Sequence, residues 1–490
     1  MNNRREVTLD PDNWDETKAL GHNMLDDMFE HIKKSKTEPV RFVTGAQTAS
    51  VMVPLTAKGE GEKAVYDAFV KDILPSMTGP KTARFWGYVV GGGSPFGMLA
   101  DMLTSGTNIP ADASWSAAYN VNKQALNWIK EMLDYPSSAS GTFSSGGSEA
   151  NFTGLAVARN AKAQVDMKKL GMQGVPKKMT LYVSDQGHDC LDRSIELLGL
   201  GTDALKHIPT DDNCKMRLDL LEKSIDEDRK NGFNPYCIIG CAGTVSSGAF
   251  DDFNALADLA EKEKMWLHVD GAFGGWVKLS ETHRKLTDGM ERADSLAIDL
   301  HKWMDMPYGI GCTLVRHPRD HLATFVYGHE AAYLKTAMDA LEDQYHTGNL
   351  GLRLSNEFLS LKVYMLLRAN GKEKYSQLIQ QNIDQINYLA NRIKHEPSLE
   401  ITAPVESNIC CFRYNPGGLD EPQLEKLNKA ILDGLWKLSA FCISDTEIKG
   451  KYMLRACNVN HRSCCEDFDW LTSEVKKQGD RLLPEIVSGK

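Results

Sequence analysis

"LAIDLHKWM" (296–304) decides how the chain is read. Leu296–Leu300 has the length and apolar character of a buried strand, and Pro307, Gly309 and Gly311 supply a turn soon after it. His301, Lys302 and Trp303 therefore sit at or just past a strand end. An ammonium there either reaches solvent or has a specific partner, because an unpaired buried charge is costly. Alone, the segment leaves both readings open: a surface lysine or a reactive one.

Outward from this segment, short apolar strands alternate with amphipathic helices. Strand-like runs are "TLYVSD" (180–185), "YCIIGCAG" (236–243), "WLHVD" (266–270), "SLAIDL" (295–300) and "IGCTLVR" (310–316). Helix-like runs cover 149–164, 189–199, 216–230 and 253–264. The alternation predicts βαβ units, hence an α/β fold with a mostly parallel central sheet covered by helices on both faces. "IGCTLVR" follows its predecessor closely, which makes it the candidate antiparallel strand. Past about residue 370 the pattern changes to "EKYSQLIQQNIDQINYLANRIKH" (373–395), "SNICCFRYN" (407–415), a helix at 421–439 and "YMLRACNVN" (452–460). That predicts a smaller α+β domain. Three parts are expected: an N-terminal helical segment over 1–95, a large α/β domain over 96–370 and a small C-terminal domain over 371–490.

The bulk numbers exclude several classes. The 490 residues are 42% apolar and 25% charged, ordinary for a globular protein. Lys and Arg number 56 against 66 Asp and Glu, a net charge of −10 with pI near 5.8. That argues against nucleic acid and anionic membrane as partners. The start, "MNNRREVTLDPDNWDET", has no apolar core of a secretory signal, and no apolar run is long enough to span a membrane. The eleven cysteines are scattered without a CxxC pair. They read as reduced thiols of a cytoplasmic protein, with no metal site expected.

Ligands of open α/β sheets bind at the carboxyl ends of the strands. Asp185, Gly243–Thr244, Asp270 and Lys302 all fall at such ends. "GTFSSGGSEANFTGLAVARNAK" (141–162) places Gly146, Gly147 and Ser148 ahead of a helix. Small residues there let backbone N–H groups approach an anion, and the helix N-terminus favours negative charge. The same stretch also reads as an ordinary Ser-capped helix. "LHVDGAFGGW" (267–276) ends a strand on Asp270, next to Gly271 and Ala272. A carboxylate there can hold a cationic ring nitrogen, or simply cap the following turn. His188, in "SDQGHDC" (184–190), can stack on a planar ligand or stand in solvent. A phosphate cradle, a ring-nitrogen carboxylate, a stacking histidine and a lysine amine are together what pyridoxal phosphate requires.

The sequence also resembles the pyridoxal-phosphate-dependent group II amino-acid decarboxylases, a family that includes aromatic amino-acid, glutamate and cysteine-sulfinate decarboxylases. "SGGSEAN", "SDQGHD", "LHVDGA", "ADSLAIDLHKW" and "YLK" occur in the family's order, and the similarity runs over about residues 80 to 460. The resemblance implies the aspartate-aminotransferase-like fold type I. It implies pyridoxal 5′-phosphate as cofactor, with Lys302 as its point of covalent attachment. By the same resemblance Gly147 and Ser148 match the phosphate-binding turn, and His301 adds a donor to it. His188 matches the ring-stacking histidine, Thr244 more loosely a residue touching the ring, Asp270 the partner of the ring nitrogen, and Ala272 the alanine packed on the ring. Tyr333, in "AAYLK" (331–335), matches the tyrosine that returns a proton to Cα after carbon dioxide leaves.

The implied activity is decarboxylation of an L-amino acid to a primary amine, by a homodimer whose N-terminal segment exchanges between subunits and whose site lies at the interface. Aromatic substrates are favoured, with Trp86 and Tyr88 near the expected pocket. The chain departs from the family pattern at "GYVVGGGSP" (87–95), at Ala113 and at Glu357, which keeps acidic or aliphatic substrates open. Two other readings stand beside this one: a decarboxylation-dependent oxidative deaminase giving an aldehyde, and a non-catalytic cofactor-binding paralogue.

Overall fold

The computed structural model describes residues 7–40, 51–55, 57–111, 116–325 and 350–488. Tyr333 and Ala113 lie outside the described residues. Twelve strands among those described form two sheets. The larger is built from β2 (Ser140–Ser144), β3 (Met179–Ser184), β4 (Leu205–Ile208), β5 (Asn234–Cys241), β6 (Trp266–Asp270), β7 (Ser295–Asp299) and β8 (Gly311–Val315), in the order β2-β8-β7-β6-β5-β3-β4. Pairing is parallel from β7 through β6, β5 and β3 to β4. β8 runs antiparallel to both of its neighbours, as its short connection to β7 requires.

β6 and β7 are buried along their whole length. That fits their unbroken apolar sequences, since a parallel strand covered on both faces does not alternate. The helix Gly147–Lys162 packs across β7 and β8 and buries Ala150, Leu155, Val157 and Ala158. The helix Phe253–Glu263 packs against β5 and β6, capped by the Asp252 carboxylate on the Ala255 N–H.

The register levels the strand ends. Cys241 of β5 pairs with Asp270 of β6, Asp270 with Ala297 of β7, and Asp299 of β7 with Gly311 of β8. Gly311 also faces Ser144, the last residue of β2. The segments leaving β2, β5, β6 and β7 therefore emerge side by side on one edge, and the chemistry-bearing residues follow these strands.

The smaller sheet has the order β1-β11-β12-β10-β9, formed by Phe85–Trp86, Cys442–Ile448, Lys451–Cys457, Ile409–Tyr414 and Leu399–Ile401 respectively. β1 comes from upstream of the large sheet and pairs in parallel with β11. Trp86 is fully buried there, stacked on Phe468 at 4.4 Å and Phe441 at 6.1 Å, with its indole N–H donating to Ser463 Oγ. Removing such a ring costs about 3–5 kcal/mol. The helical stretch Leu359–Lys394 joins the two sheets and is interrupted at Gly371, whose φ of 71° an L side chain rarely adopts.

Candidate active site

A cavity of ≈ 250 Å³ opens at the levelled strand ends. Gly147, Ser148, His188, Thr244, Asp270, Ala272 and Lys302 all line it. Seven residues from five separate stretches of sequence thus meet in one place. A wider groove beside the helix Trp14–Lys33 is larger, ≈ 1260 Å³, but it lies open between surface segments and gathers no comparable set. Convergent chemistry, not volume, marks the site.

Lys302 Nζ lies 2.9 Å from Asp299 Oδ2. Burial works against the ammonium, but the Asp299 and Asp270 carboxylates outweigh it and hold its pKa above the ordinary value. Lys302 is therefore a paired lysine rather than a solvent-facing one. Asp270 is buried, and one of its oxygens accepts the Ala272 N–H at 3.1 Å. That bond fixes the tight turn after β6 and aims the carboxylate along the cavity wall.

The turn that opens the helix Gly147–Lys162 is packed to the limit. A β-carbon on Gly147 would lie 2.7 Å from Asp299 Oδ2 and 3.2 Å from Ala272 Cβ. One on Gly146 would sit 3.0 Å from His301 Cε1. The first turn of a helix leaves backbone N–H groups without intrahelical partners. Only glycine lets this turn lie so close to Asp299, Ala272 and His301. Glu149, in the same turn, is taken up by Ser145 and by Arg353 at 3.1 Å.

His188 accepts the Cys190 N–H on Nδ1 at 3.1 Å, which assigns the proton of the neutral ring to Nε2. Thr244 is buried, with Oγ1 2.8 Å from Ser247 Oγ. His301 does not line the cavity. Its Nδ1 lies 3.0 Å from the Ile310 carbonyl, its ring stacks at a tilt on Tyr308, and burial lowers its pKa. With Nδ1–H donating to that carbonyl, Nε2 of the neutral ring carries a lone pair.

Sequence reasoning missed a buried relay behind the cavity. Trp266 Nε1–H donates to Ser295 Oγ at 2.8 Å, and Ser295 Oγ lies 2.8 Å from His268 Nδ1. His268 Nε2 lies 2.9 Å from Asn151 Oδ1, and the Asn151 amide reaches Cys190 Sγ at 3.5 Å. Burial pushes the His268 pKa down to about 4, with Asp270 opposing, so the imidazole is neutral and both ring nitrogens are satisfied. Asn151 and Cys190 line the cavity. Asn151 stands one helical turn beyond Gly147, a signal already present in "SGGSEAN". Asp299, three residues before Lys302, was also left unassigned.

The glycine-rich wall, read as keeping acidic or aliphatic substrates open, is differently built. Tyr88 and Val89 line the cavity, but the glycines that follow do not. A β-carbon on Gly91 would collide with the Lys302 carbonyl, and one on Gly92 would come within 2.8 Å of Arg462 Nη1. They serve close backbone packing rather than pocket width. Trp86, expected near the pocket, is in the core of the smaller sheet instead.

The site fits pyridoxal phosphate in its helix-opening turn of Gly147 and Ser148 at the cavity, its paired lysine and its carboxylate at a strand end. Comparison with known proteins agrees. The pyridoxal-dependent decarboxylase conserved domain matches residues 48–415. An aromatic-L-amino-acid decarboxylase of Bacillus atrophaeus is 32% identical over 477 residues, covering 96% of each chain. A phenylacetaldehyde synthase of Arabidopsis thaliana is 26% identical over 468 residues, covering 93% of this chain and 94% of its own. In fold, the Oryza sativa TDC solved with PLP and tryptamine superposes with a TM-score of 0.87 at 23% identity, over 97% of this chain and 100% of that one. The chain belongs to the pyridoxal-dependent decarboxylase family and is a pyridoxal-phosphate-dependent amino-acid decarboxylase, a carboxy-lyase.

Proposed function

We propose that the protein decarboxylates an aromatic L-amino acid to its primary amine. The observation that carries this reading is the convergence of Gly147, Ser148, His188, Thr244, Asp270, Ala272 and Lys302 on one cavity that Tyr88 and Phe273 also line. Pyridoxal phosphate, when bound, supplies the electron sink for the bond that breaks at Cα. Lys302 would hold the cofactor covalently and give way to the substrate amine. Asp270 would face the ring nitrogen and keep it charged. Ala272, small and beside the turn, leaves room for a flat ring. Gly147 and Ser148 would hold the phosphate, with His301 behind them. His188 projects from a loop into the cavity, where it would cover the ring and orient the substrate carboxylate. Thr244 would close the far side.

The proton returned to Cα is assigned to Tyr333, outside the described residues, on the resemblance of "AAYLK". A second reading, an aldehyde-forming oxidative deaminase, is favoured by the phenylacetaldehyde synthase among the relatives. The tyrosine hydroxyl at 333 favours the amine. Twenty amino acids assayed for carbon dioxide, amine, aldehyde and peroxide decide both questions. Amine from tyrosine, tryptophan or dihydroxyphenylalanine supports the proposal. Turnover confined to acidic or aliphatic substrates, or stoichiometric peroxide, rejects it. In Tyr333→Phe, carbon dioxide release with peroxide in place of amine supports the proton assignment. Unchanged amine rejects it.

We also infer a homodimer in which residues 1–95 exchange between subunits, beside a large domain over 96–370 and a small one over 371–490. The helix Trp14–Lys33 buries none of its residues within the chain, yet carries Trp14, Met24 and Phe29 exposed. Such a face suits an interface between copies. Light scattering at assay concentration tests it, and a fully active monomer rejects it. Among the described residues no helix is long and apolar enough to cross a membrane. All eleven cysteines are free thiols, which supports a cytoplasmic location.

A further inference from the structure

Arg455 has no task in the scheme above, although it touches two stretches that belong to the cavity lining. It stands in the middle of β12 and is 3% exposed. Nε donates to the Ser246 carbonyl at 3.2 Å. Nη1 donates to the Tyr88 carbonyl at 3.0 Å and to Ser444 Oγ at 3.1 Å. Tyr88 and Val89 line the cavity at one end of this fork, Thr244 and Val245 at the other. The register of the smaller sheet aims the side chain. Cys411 of β10, Arg455 of β12 and Ser444 of β11 are direct neighbours in one transverse row. Residues opposite one another share a face of the sheet. Cys411 Sγ accordingly reaches the same Ser246 carbonyl at 3.3 Å.

The two stretches differ in how they are held. The segment after β5 closes on itself, with the Thr244 N–H on the Ala249 carbonyl and the Gly248 N–H on the Thr244 carbonyl, both at 2.9 Å. It is also seated on the smaller sheet. Glu406 accepts the Phe250 N–H at 3.1 Å, and a β-carbon on Gly248 would lie 3.1 Å from Ile409 Cβ. The Tyr88 stretch is the strained one: β1 ends at Trp86, and Tyr88 turns away with a φ of 57°. Arg455 thus links a seated turn to a strained one. A guanidinium suits this link, because its planar fork fixes the spacing and angle of two acceptors, which the point charge of a lysine does not. Its acceptors are two carbonyls and a hydroxyl, all neutral, and Nη2 has no hydrogen-bond partner. A charge buried without an anion is costly, and an apolar side chain of similar size is often no less stable in its place. Stability alone therefore does not account for an arginine at 455.

We propose that Arg455 is a positioning residue for substrate recognition: it ties the Tyr88 backbone to the Thr244–Ser247 turn and so holds the Tyr88 ring where the substrate side chain meets it. The proposal rests on the reading of this cavity as the amino-acid site. Arg455 itself does not line the cavity, and it acts through Tyr88 rather than on the ligand.

The test is steady-state kinetics of the full-length holoenzyme with the amino acid that the wild type turns over best, so failure of the aromatic assignment leaves it intact. Arg455→Lys should raise KM roughly fivefold, within the range of couplings between residues of one network, and change kcat by less than about twofold. In a Tyr88→Gly background the ring is gone, and Arg455→Lys should then change KM by less than about twofold. Arg455→Met removes the donors and the charge together. It should give the same pattern, and it replaces Arg455→Lys if that variant fails to fold. Ser444→Ala takes one bond from Nη1 but leaves the Tyr88 link, so its KM should stay within about twofold of wild type. An unchanged KM on substitution of Arg455 overturns the proposal. An equal rise in the Tyr88 and Tyr88→Gly proteins also overturns it, because the guanidinium would then act on the ligand directly. So does a rise in Ser444→Ala matching that of Arg455→Lys, which would report a loosened small sheet instead of a lost Tyr88 link.

Discussion

The Asp305 carboxylate accepts the Gly92 backbone N–H at 2.7 Å, which ties the glycine turn to the loop carrying Lys302. Asp305 in turn donates its own N–H to the Lys302 carbonyl at 3.3 Å. From the other side, Arg462 donates to the Gly92 and Gly93 carbonyls at 3.0 and 3.1 Å. Two polar side chains thus clamp the segment that continues from the Tyr88–Val89 wall.

This clamp has a pH signature. Burial pushes the Asp305 pKa from 3.8 up to about 8, although the Gly92 N–H and Arg462 pull it down. Between those values the folded protein keeps a proton that the unfolded chain has released. Asp305 therefore lowers stability as pH rises through that window, by at most about 1.4 kcal/mol per pH unit. Asp305→Asn keeps an acceptor for Gly92 and tolerates the φ of 49°. It should flatten the dependence of denaturant midpoint on pH between 4 and 8. Asp305→Ala, which strands the Gly92 N–H, should cost about 1–3 kcal/mol. Parallel pH curves for wild type and Asp305→Asn would refute the assignment.

Lys302→Ala should separate activity from stability. Turnover should fall on the order of 10⁴-fold or more, the scale for removing a covalent nucleophile. Borohydride reduction of the wild-type holoenzyme should leave the cofactor on the peptide containing Lys302, and a label on another lysine would refute the role. In the cofactor-free protein the same variant leaves Asp299 buried without its cation. That should cost about 3 kcal/mol or more in denaturant unfolding.

Asp270→Asn isolates charge from shape. The amide oxygen still accepts the Ala272 N–H, so the turn after β6 should persist and the thermal midpoint should change little. A neutral group opposite the ring nitrogen weakens the electrostatic support of the reaction. Turnover at saturating cofactor should drop about 10²–10³-fold, the scale for losing one preorganised partner. Near-wild-type turnover would exclude Asp270 from this role.

How legible was this in the sequence? "WLHVD" is β6 residue for residue, and "SLAIDL" overshoots β7 by one. Both are buried on two faces, so their apolar runs are unbroken and need no partner to be recognised. β2, "SGTFS", carries a single large apolar residue, and β4, "LKHI", is four residues long at the sheet edge. Their stability comes from neighbours, so local pattern did not mark them. Trp86 and Tyr88 stand two apart in sequence but part company in space. Strand β1 carries Trp86 into the small core, and the left-handed turn at Tyr88 swings the next ring to the cavity. Asp299 and His268 escaped because a polar residue inside an apolar strand shows its partners only after folding.

Tyr88 carries the prediction closest to substrate choice. Its φ is 57°, the residue is 63% exposed, and it lines the cavity. A left-handed conformation costs a bulky L-residue about 1–2 kcal/mol, and glycine would avoid it. The strain is held by contacts to the backbone, where Arg455 Nη1 donates to the Tyr88 carbonyl at 3.0 Å. An exposed aromatic ring held in an unfavourable conformation at a cavity rim fits contact with a ligand better than it fits folding. Tyr88→Gly relieves the strain but gives glycine more freedom in the unfolded chain, so stability should move by less than about 1 kcal/mol. Loss of the wall should raise KM for an aromatic substrate roughly tenfold, the value of a modest aromatic contact of about 1.4 kcal/mol. The value of kcat should change less, because Lys302 and Asp270 are untouched. A variant with unchanged KM for every substrate, and a clear gain in thermal midpoint, would mean that Tyr88 is only a strained turn residue.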